Sequence, residues 1–241
     1  MPFRRIPLSA TLNTRDLGGY PAAGGKVTQF GRAIRSDIPS ALSAEDTSLL
    51  QRIGVTDAID LRSDEETILQ PSAFEGSTDF HYHRCPFAIG NQDPGSPAGV
   101  APLYMQIVND FSMMQRIMQL IARARGGVLI HCAAGKDRTG VVAALLLLTA
   151  DVDRRDILAD YQLSATYRQP VLRRLFKQQP GLPAYIGRTD IDYMDDMLNR
   201  FFQSYGSIDN YLATISVRKQ ESRKLKAKLI EPIEQADRAS R

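Results

Sequence analysis

Ten residues constrain this chain more than any others: His131-Cys132-Ala133-Ala134-Gly135-Lys136-Asp137-Arg138-Thr139-Gly140. The apolar run Gly127 to Ile130 before them reads as a buried strand, and Val141 to Leu148 after them reads as a buried helix. The ten residues are therefore a loop leaving a strand and entering a helix. Free backbone N–H groups and the dipole at a helix start favour an anion there. Gly135 can adopt backbone angles closed to other residues, which lets the loop curl into a ring of donors.

Three side chains turn this cradle into a reactive site. Cys132 opens the loop. A thiol attacks as the thiolate, and a helix start with nearby cations lowers a cysteine pKa to about 3.5–7.5. Arg138, six positions on, has a planar fork that can hold two phosphate oxygens as charge redistributes. The Thr139 hydroxyl can turn back toward the sulfur and stabilise it as a leaving group. Ala133, Ala134, Gly135, Lys136, Thr139 and Gly140 are the expected phosphate-binding residues, with His131 a further candidate. The chemistry implied is attack of Cys132 on phosphorus, a cysteinyl-phosphate intermediate, and hydrolysis.

The stretch resembles the signature of the cysteine-dependent protein-tyrosine phosphatase superfamily, His-Cys-x5-Arg-Ser/Thr, and matches it completely. Gly135 to Gly140 is most similar to a bacterial subgroup of tyrosine and lipid phosphatases that includes mycobacterial protein tyrosine phosphatase B. Asn13-Thr14-Arg15-Asp16-Leu17-Gly18-Gly19-Tyr20 resembles that subgroup's N-terminal element, and Tyr205 to Leu212 its C-terminal helix pair. The resemblance implies phosphotyrosine as substrate, with phosphoserine/threonine and phosphoinositides as additions, and no metal or organic cofactor. Two rivals remain. A rhodanese-type sulfurtransferase is disfavoured by the five residues between Cys132 and Arg138, one more than its loop carries. A non-catalytic phospho-ligand-binding module would need a defect other than a missing nucleophile.

The leaving oxygen needs a proton donor, and three aspartates are candidates. The resembled subgroup places an aspartate at Asp137, which ranks first. Asp93 follows, on a Pro/Gly-rich loop from Ala88 to Ala101 upstream of the cysteine. Asp60 ends a strand from Val55 to Leu61 and faces the same crevice if the strands are parallel. Next to Arg62, however, its pKa should fall. A structural salt bridge is the favoured reading of Arg62. Arg15 and Asp16 read as a structural ion pair beside the loop rather than as catalysts. Lys136 adds a cation that a second phosphate, as on a phosphoinositide, would use.

The rest of the chain reads as alternating strands and helices. Val27 to Ile34 is a strand region around Gly31. Ser43 to Arg52 is a capped helix, and Ser63 to Glu66 is a capping box starting another. Asp79 to Phe87 is a strand carrying His81, His83 and Cys85, whose packing explains them better than zinc does. Cys85 reads as a small buried hydrophobe. Leu103 to Arg125 keeps one three-to-four apolar spacing and reads as a single long helix. Asp153 to Tyr167 and Val171 to Phe176 read as two helices separated at Pro170. Residues 161–185 are the candidate for a helical lid, Ile191 to Tyr205 has an apolar stripe, and Ser207 caps the helix after it. A basic helix at about 216–230 can meet anionic lipid, with a solvated face as the favoured reading.

The expectation is one α/β domain over residues 1–241. It has a central, mainly parallel sheet of four to five strands flanked by helices and an all-helical C-terminal half. With 241 residues, 43% hydrophobic and 24% charged, the chain can bury a good core. A net charge of +3 suits an anionic substrate and does not argue for nucleic acid. Two cysteines make no disulfide framework, and a reactive thiol needs a reducing compartment. No signal peptide or membrane-length apolar run is visible, so a cytoplasmic location is expected. Export without a signal would leave no mark in the sequence. Oligomeric state has no signature.

Overall fold

The computed structural model describes residues 3–87 and 93–232. Its strands and helices, in chain order, begin with β1 (Arg15–Asp16), β2 (Pro21–Ala22), β3 (Lys26–Thr28), β4 (Ala33–Ser36), α1 (Ala44–Arg52), β5 (Val55–Asp60), α2 (Asp64–Leu69) and β6 (His81–Arg84). They continue with α3 (Val100–Val108), α4 (Phe111–Arg123), β7 (Gly127–His131), α5 (Arg138–Thr149), α6 (Arg154–Gln178), α7 (Ile191–Tyr205), α8 (Ile208–Thr214), α9 (Lys219–Leu229) and β8 (Ile230–Pro232).

The main sheet has the order β1-β4-β7-β5-β6, with four parallel strands and β1 antiparallel at one edge. This is the α/β sheet expected. Every residue of β7 is buried, because β7 lies in the middle of the sheet with packing on both faces. Alternation then sorts its side chains: Val128 and Ile130 enter the larger core beneath the C-terminal helices, while Leu129 joins Ile34, Ala58 and Leu50 on the α1 face. The register sets Ser36 and Asp60 level with His131, so three parallel strands deliver their chain ends to one place. Ligands in such sheets lie beyond those ends.

Several elements depart from the sequence expectation. Leu103 to Arg125 is not one helix, because α3 ends at Asn109 and Asp110 caps α4 by accepting the Met113 N–H. The apolar spacing runs through the break because both helices pack on the same core. Conversely, α6 runs unbroken through Pro170. Pro170 and Thr166, whose carbonyl loses its helical donor, are both exposed, so water can meet that group. Val27 to Ile34 is divided between two sheets. β3 pairs with β2 and with β8, a C-terminal strand that the helix reading of 216–230 did not foresee.

The basic helix α9 is packed rather than free. Leu225 and Leu229 are buried, Lys226 pairs with Asp151 at 2.6 Å, and Lys228 donates to the Ala124 carbonyl at 2.7 Å. Lys219, Arg223 and Lys224 form its exposed face. His83 pairs with Asp57 at 2.7 Å, His81 is exposed and Cys85 is buried. No helix among the described residues is long and apolar enough to cross a membrane.

Candidate active site

The loop between β7 and α5 forms the floor of a cleft of about 370 Å³. Its walls come from Glu66 of α2, Asp93 and Pro94, Val100 and Leu103 of the α3 region, and Tyr185, Ile186 and Gly187. Cys132, Ala133, Ala134, Lys136, Asp137 and Arg138 all line it. Cys132 is nearly buried, and its Sγ accepts the Gly135 N–H at 3.2 Å.

The curl of the loop is held from behind. The Ala133 carbonyl accepts the Ile38 N–H at 3.2 Å. Asn13 Nδ2 donates to the carbonyls of Ala134 and Gly135, both at 3.1 Å. Arg35 adds a second donor to the Gly135 carbonyl at 2.7 Å. Three successive carbonyls are thus pinned away from the cleft, which leaves the N–H side of the loop to face it. Gly135 has φ +64°, and a Cβ there would lie 2.5 Å from backbone atoms of Ser36 and Asp37. Glycine is obligatory at this point.

Asn13 and Arg35 are themselves fixed by a buried charge cluster. Asp160 of α6 pairs with Arg15 at 2.8 Å and with Arg35. Arg15 also donates to Asn13 Oδ1 at 2.6 Å and to Ser164. Burial alone would raise the Asp160 pKa, but the two guanidiniums outweigh it and hold the carboxyl at about 2. The expected Arg15–Asp16 ion pair is therefore replaced. Asp16 instead accepts backbone N–H groups of Gly18 and Gly31, because its strand turns it the other way. Arg15 stands behind the loop and does not line the cleft.

Arg138 is 3% exposed and is clamped by Glu66, which accepts from Nη1 at 2.5 Å and Nη2 at 2.7 Å. Its buried Nε has no partner among the described residues. The free edge of the guanidinium, Nε with the second Nη2 hydrogen, is therefore what remains for an incoming anion. Burial pushes the Glu66 pKa up, but hydrogen bonds from Arg138 more than offset it and leave the carboxyl below its usual range. Sequence reading saw Glu66 only as the last residue of the capping box Ser63 to Glu66. That box is present, and the same carboxylate also orients Arg138.

The other candidates separate clearly. Asp137 Oδ1 accepts the Tyr104 O–H at 2.6 Å and lies 3.1 Å from Lys136 Nζ. Lys136 is nearly buried and also donates to the Arg188 carbonyl at 3.0 Å. Asp93 is exposed and accepts from Tyr185 O–H at 2.6 Å, a bond that pulls its carboxyl pKa down. The loop around it is only partly visible, since 88–92 lie outside the described residues. Asp60 is buried under Arg62 and Tyr82 and does not line the cleft. Burial raises its pKa, but the Arg62 hydrogen bonds outweigh that and lower it. Arg62 is the structural partner expected, closing on Asp60 and the Gln70 carbonyl.

His131 is fully buried beside Ser72, and burial lowers its pKa to about 4, so it is neutral at ordinary pH. The Thr139 hydroxyl is buried without a protein partner among the described residues. Gly140 does not reach the cleft. A Cβ there would press on Tyr161 and Arg35, so its role is close helix packing. Within the lid span 161–185, Tyr161 and Ser164 are core residues. The part that walls the cleft is at its end, residues 185–187.

A strand-end cysteine whose Sγ accepts a loop N–H, sharing one cleft with a clamped arginine, is the arrangement a cysteine-dependent phosphatase requires. The chain belongs to the tyrosine phosphatase family, whose sequence profile matches residues 6–231. A Cupriavidus necator protein carrying a tyrosine-protein phosphatase name is 33% identical over 219 residues, covering 83% of this chain and 80% of that one. The tyrosine-protein phosphatase of Nostoc commune is 28% identical, covering 81% and 73%. The triple specificity protein phosphatase PtpB of Mycobacterium tuberculosis is 30% identical over 196 residues, covering 67% and 68%.

Proposed function

We propose that this chain hydrolyses phosphotyrosine through a cysteinyl-phosphate intermediate, with Cys132 as nucleophile, Arg138 as the phosphate clamp and Asp137 as general acid. The observation that carries the reading is Cys132 Sγ on the Gly135 N–H at the base of the cleft, with Arg138 locked by Glu66 in the same wall. The Cys132 thiolate attacks phosphorus, and the bond from phosphorus to the leaving oxygen breaks. Asp137 gives that oxygen its proton. Water then attacks the cysteinyl-phosphate and passes a proton to Asp137. The S–P bond breaks, releasing phosphate and restoring the thiolate, which the Gly135 N–H receives; the Thr139 hydroxyl makes no hydrogen bond to the sulfur among the described residues. No cofactor enters this sequence, since loop amides and Arg138 supply the positive field.

The walls support an aromatic ester. Pro94, Val100, Leu103 and Ile186 give apolar flanks for a ring whose phosphate rests on the loop. A second phosphate is poorly served. The two cations among the described lining residues, Lys136 and Arg138, already have carboxylate partners, so the phosphoinositide role expected of Lys136 gains no support from this geometry. Residues 179–190, rather than all of 161–185, are the segment we assign as the lid.

Turnover of a phosphotyrosine peptide tests the reading. Cys132→Ser and Arg138→Lys should each lower kcat by at least about a hundredfold, the scale of losing one preorganised stabiliser. A wild-type protein that binds the phosphopeptide without turning it over would instead make it a binding module.

A further inference from the structure

A chain of buried phenols ends on the loop aspartate. Tyr104 of α3 and Tyr161 of α6 are both fully buried, and their hydroxyl oxygens lie 2.6 Å apart. Tyr104 O–H also lies 2.6 Å from Asp137 Oδ1. An ionised carboxylate only accepts hydrogen bonds, and a phenol has one proton to give. Tyr104 therefore spends its proton on Asp137, and Tyr161 must donate to Tyr104. Burial holds both phenols well above their usual pKa, so each keeps its proton at any working pH.

Asp137 Oδ1 already receives the Tyr104 O–H, and the Lys136 ammonium stands 3.1 Å from the same oxygen as its ion-pair partner. A carboxyl proton placed on that oxygen would face both of them. The other oxygen, Oδ2, has no protein donor among the described residues, and the side chain is 27% exposed at the cleft. We propose that Tyr104, held by Tyr161, is a positioning residue that confines the transferable proton of Asp137 to Oδ2, on the cleft side. This rests on the reading of Asp137 as the general acid. The arrangement serves both halves of the reaction. When Asp137 is protonated, Oδ1 is the carbonyl oxygen and still accepts from Tyr104; when it is ionised, the same bond stabilises the anion. No rearrangement is needed between giving and taking the proton.

The groups facing Asp137 are Lys136, Arg138 and Cys132 from its own loop, Tyr104 from α3 and, through Tyr104, Tyr161 from α6. The tyrosines can lose their hydroxyl donors without any change of charge. Losing a donor to the carboxylate disfavours the anion relative to the acid.

The experiment compares Tyr104→Phe, Tyr161→Phe, Asp137→Asn and the double variant Tyr104→Phe/Asp137→Asn on phenyl phosphate and p-nitrophenyl phosphate, with full pH profiles. Tyr104→Phe should lower kcat on phenyl phosphate about tenfold, the scale of one hydrogen bond to a charged group. It should change p-nitrophenyl phosphate turnover little, because that leaving group needs no proton, and should move the high-pH fall of the profile to higher pH. Tyr161→Phe should act in the same direction more weakly, and it decides the matter if Tyr104→Phe does not fold. In the Asp137→Asn background Tyr104→Phe should add nothing. If Asp137→Asn shows the leaving-group dependence while both tyrosine variants keep the wild-type dependence and pH limb, the positioning role is overturned and the acid stands. If Asp137→Asn slows both esters alike, the acid assignment falls and this proposal with it.

Discussion

Replacing Glu66 by Gln should cripple Arg138 without unravelling α2. The carboxylate does two jobs: Oε2 accepts the Ser63 N–H at 2.8 Å, and its two oxygens accept from both Nη atoms of Arg138. Gln is nearly isosteric and still completes a capping box. Its carbonyl can keep the Ser63 and Nη1 bonds, but its NH2 then faces Nη2, donor against donor. One hydrogen bond to a charged group contributes about 1.5–3 kcal/mol. If the loss reaches the transition state in full, kcat falls about 10- to 150-fold at 1.36 kcal/mol per decade. Partial transmission puts the expected loss near the lower end, about tenfold. Ser63→Ala separates the two roles: it removes a cap and should lower Tm while sparing kcat. Because the Glu66 pKa is depressed in the folded state, its contribution to stability is present above the ordinary glutamate value. It is lost as pH falls through the lower folded value. Assays at neutral pH therefore see the ionised clamp. The measurement is steady-state hydrolysis of a phosphotyrosine peptide, with inhibition by inorganic phosphate for ground-state binding. A Glu66→Gln enzyme within twofold of wild type in kcat/KM, or a faster one, would refute the view that Glu66 holds Arg138 in its productive pose.

Three further outcomes are expected. Gly135→Ala puts a Cβ 2.5 Å from the Ser36 and Asp37 backbone at φ +64°, so the loop must shift; activity should fall about a hundredfold, the effect of roughly 1 Å of misplacement, with a lower Tm in calorimetry. Asn13→Ala frees the carbonyls of Ala134 and Gly135 and strips Arg15 of a buried acceptor; denaturant unfolding should show a loss of about 1–3 kcal/mol, accompanied by weaker vanadate inhibition. His131 has a folded pKa of about 4 against about 6.5 unfolded, so below pH 6.5 the unfolded chain binds a proton that the folded one refuses. Its contribution makes stability fall by about 3 kcal/mol from pH 6.5 to 4, and urea midpoints of His131→Gln should lack that part of the slope.

What the sequence alone determined is local. Gly127 to Leu148 announces strand, loop and helix because burial periodicity and glycine chemistry act within a few residues, and the structure places β7, the cleft floor and α5 there. The boxes at Ser43 and Ser63 and the cap at Ser207 were legible for the same reason, since a cap and its partner lie three positions apart. The proposed nucleophile, the arginine and the loop aspartate are all contained in one such stretch.

Tertiary structure decided which distant groups hold them. Glu66 and Arg138 are 72 residues apart, and Asn13 lies 122 residues from the Gly135 carbonyl it supports. Arg15 passes over its neighbour Asp16 for Asp160, 145 residues away, while Arg62 does close on nearby Asp60. Buried charges must find partners, but sequence distance does not choose them; the strand register and the approach of α2 and α6 to the sheet do. The same holds for the break before Asp110, invisible in an apolar spacing that both helices share, and for β8, which exists because β3 offers it an open edge. Caps and periodicity are written within a turn of chain, whereas the orientation of a catalytic group is set by whatever the fold packs against it.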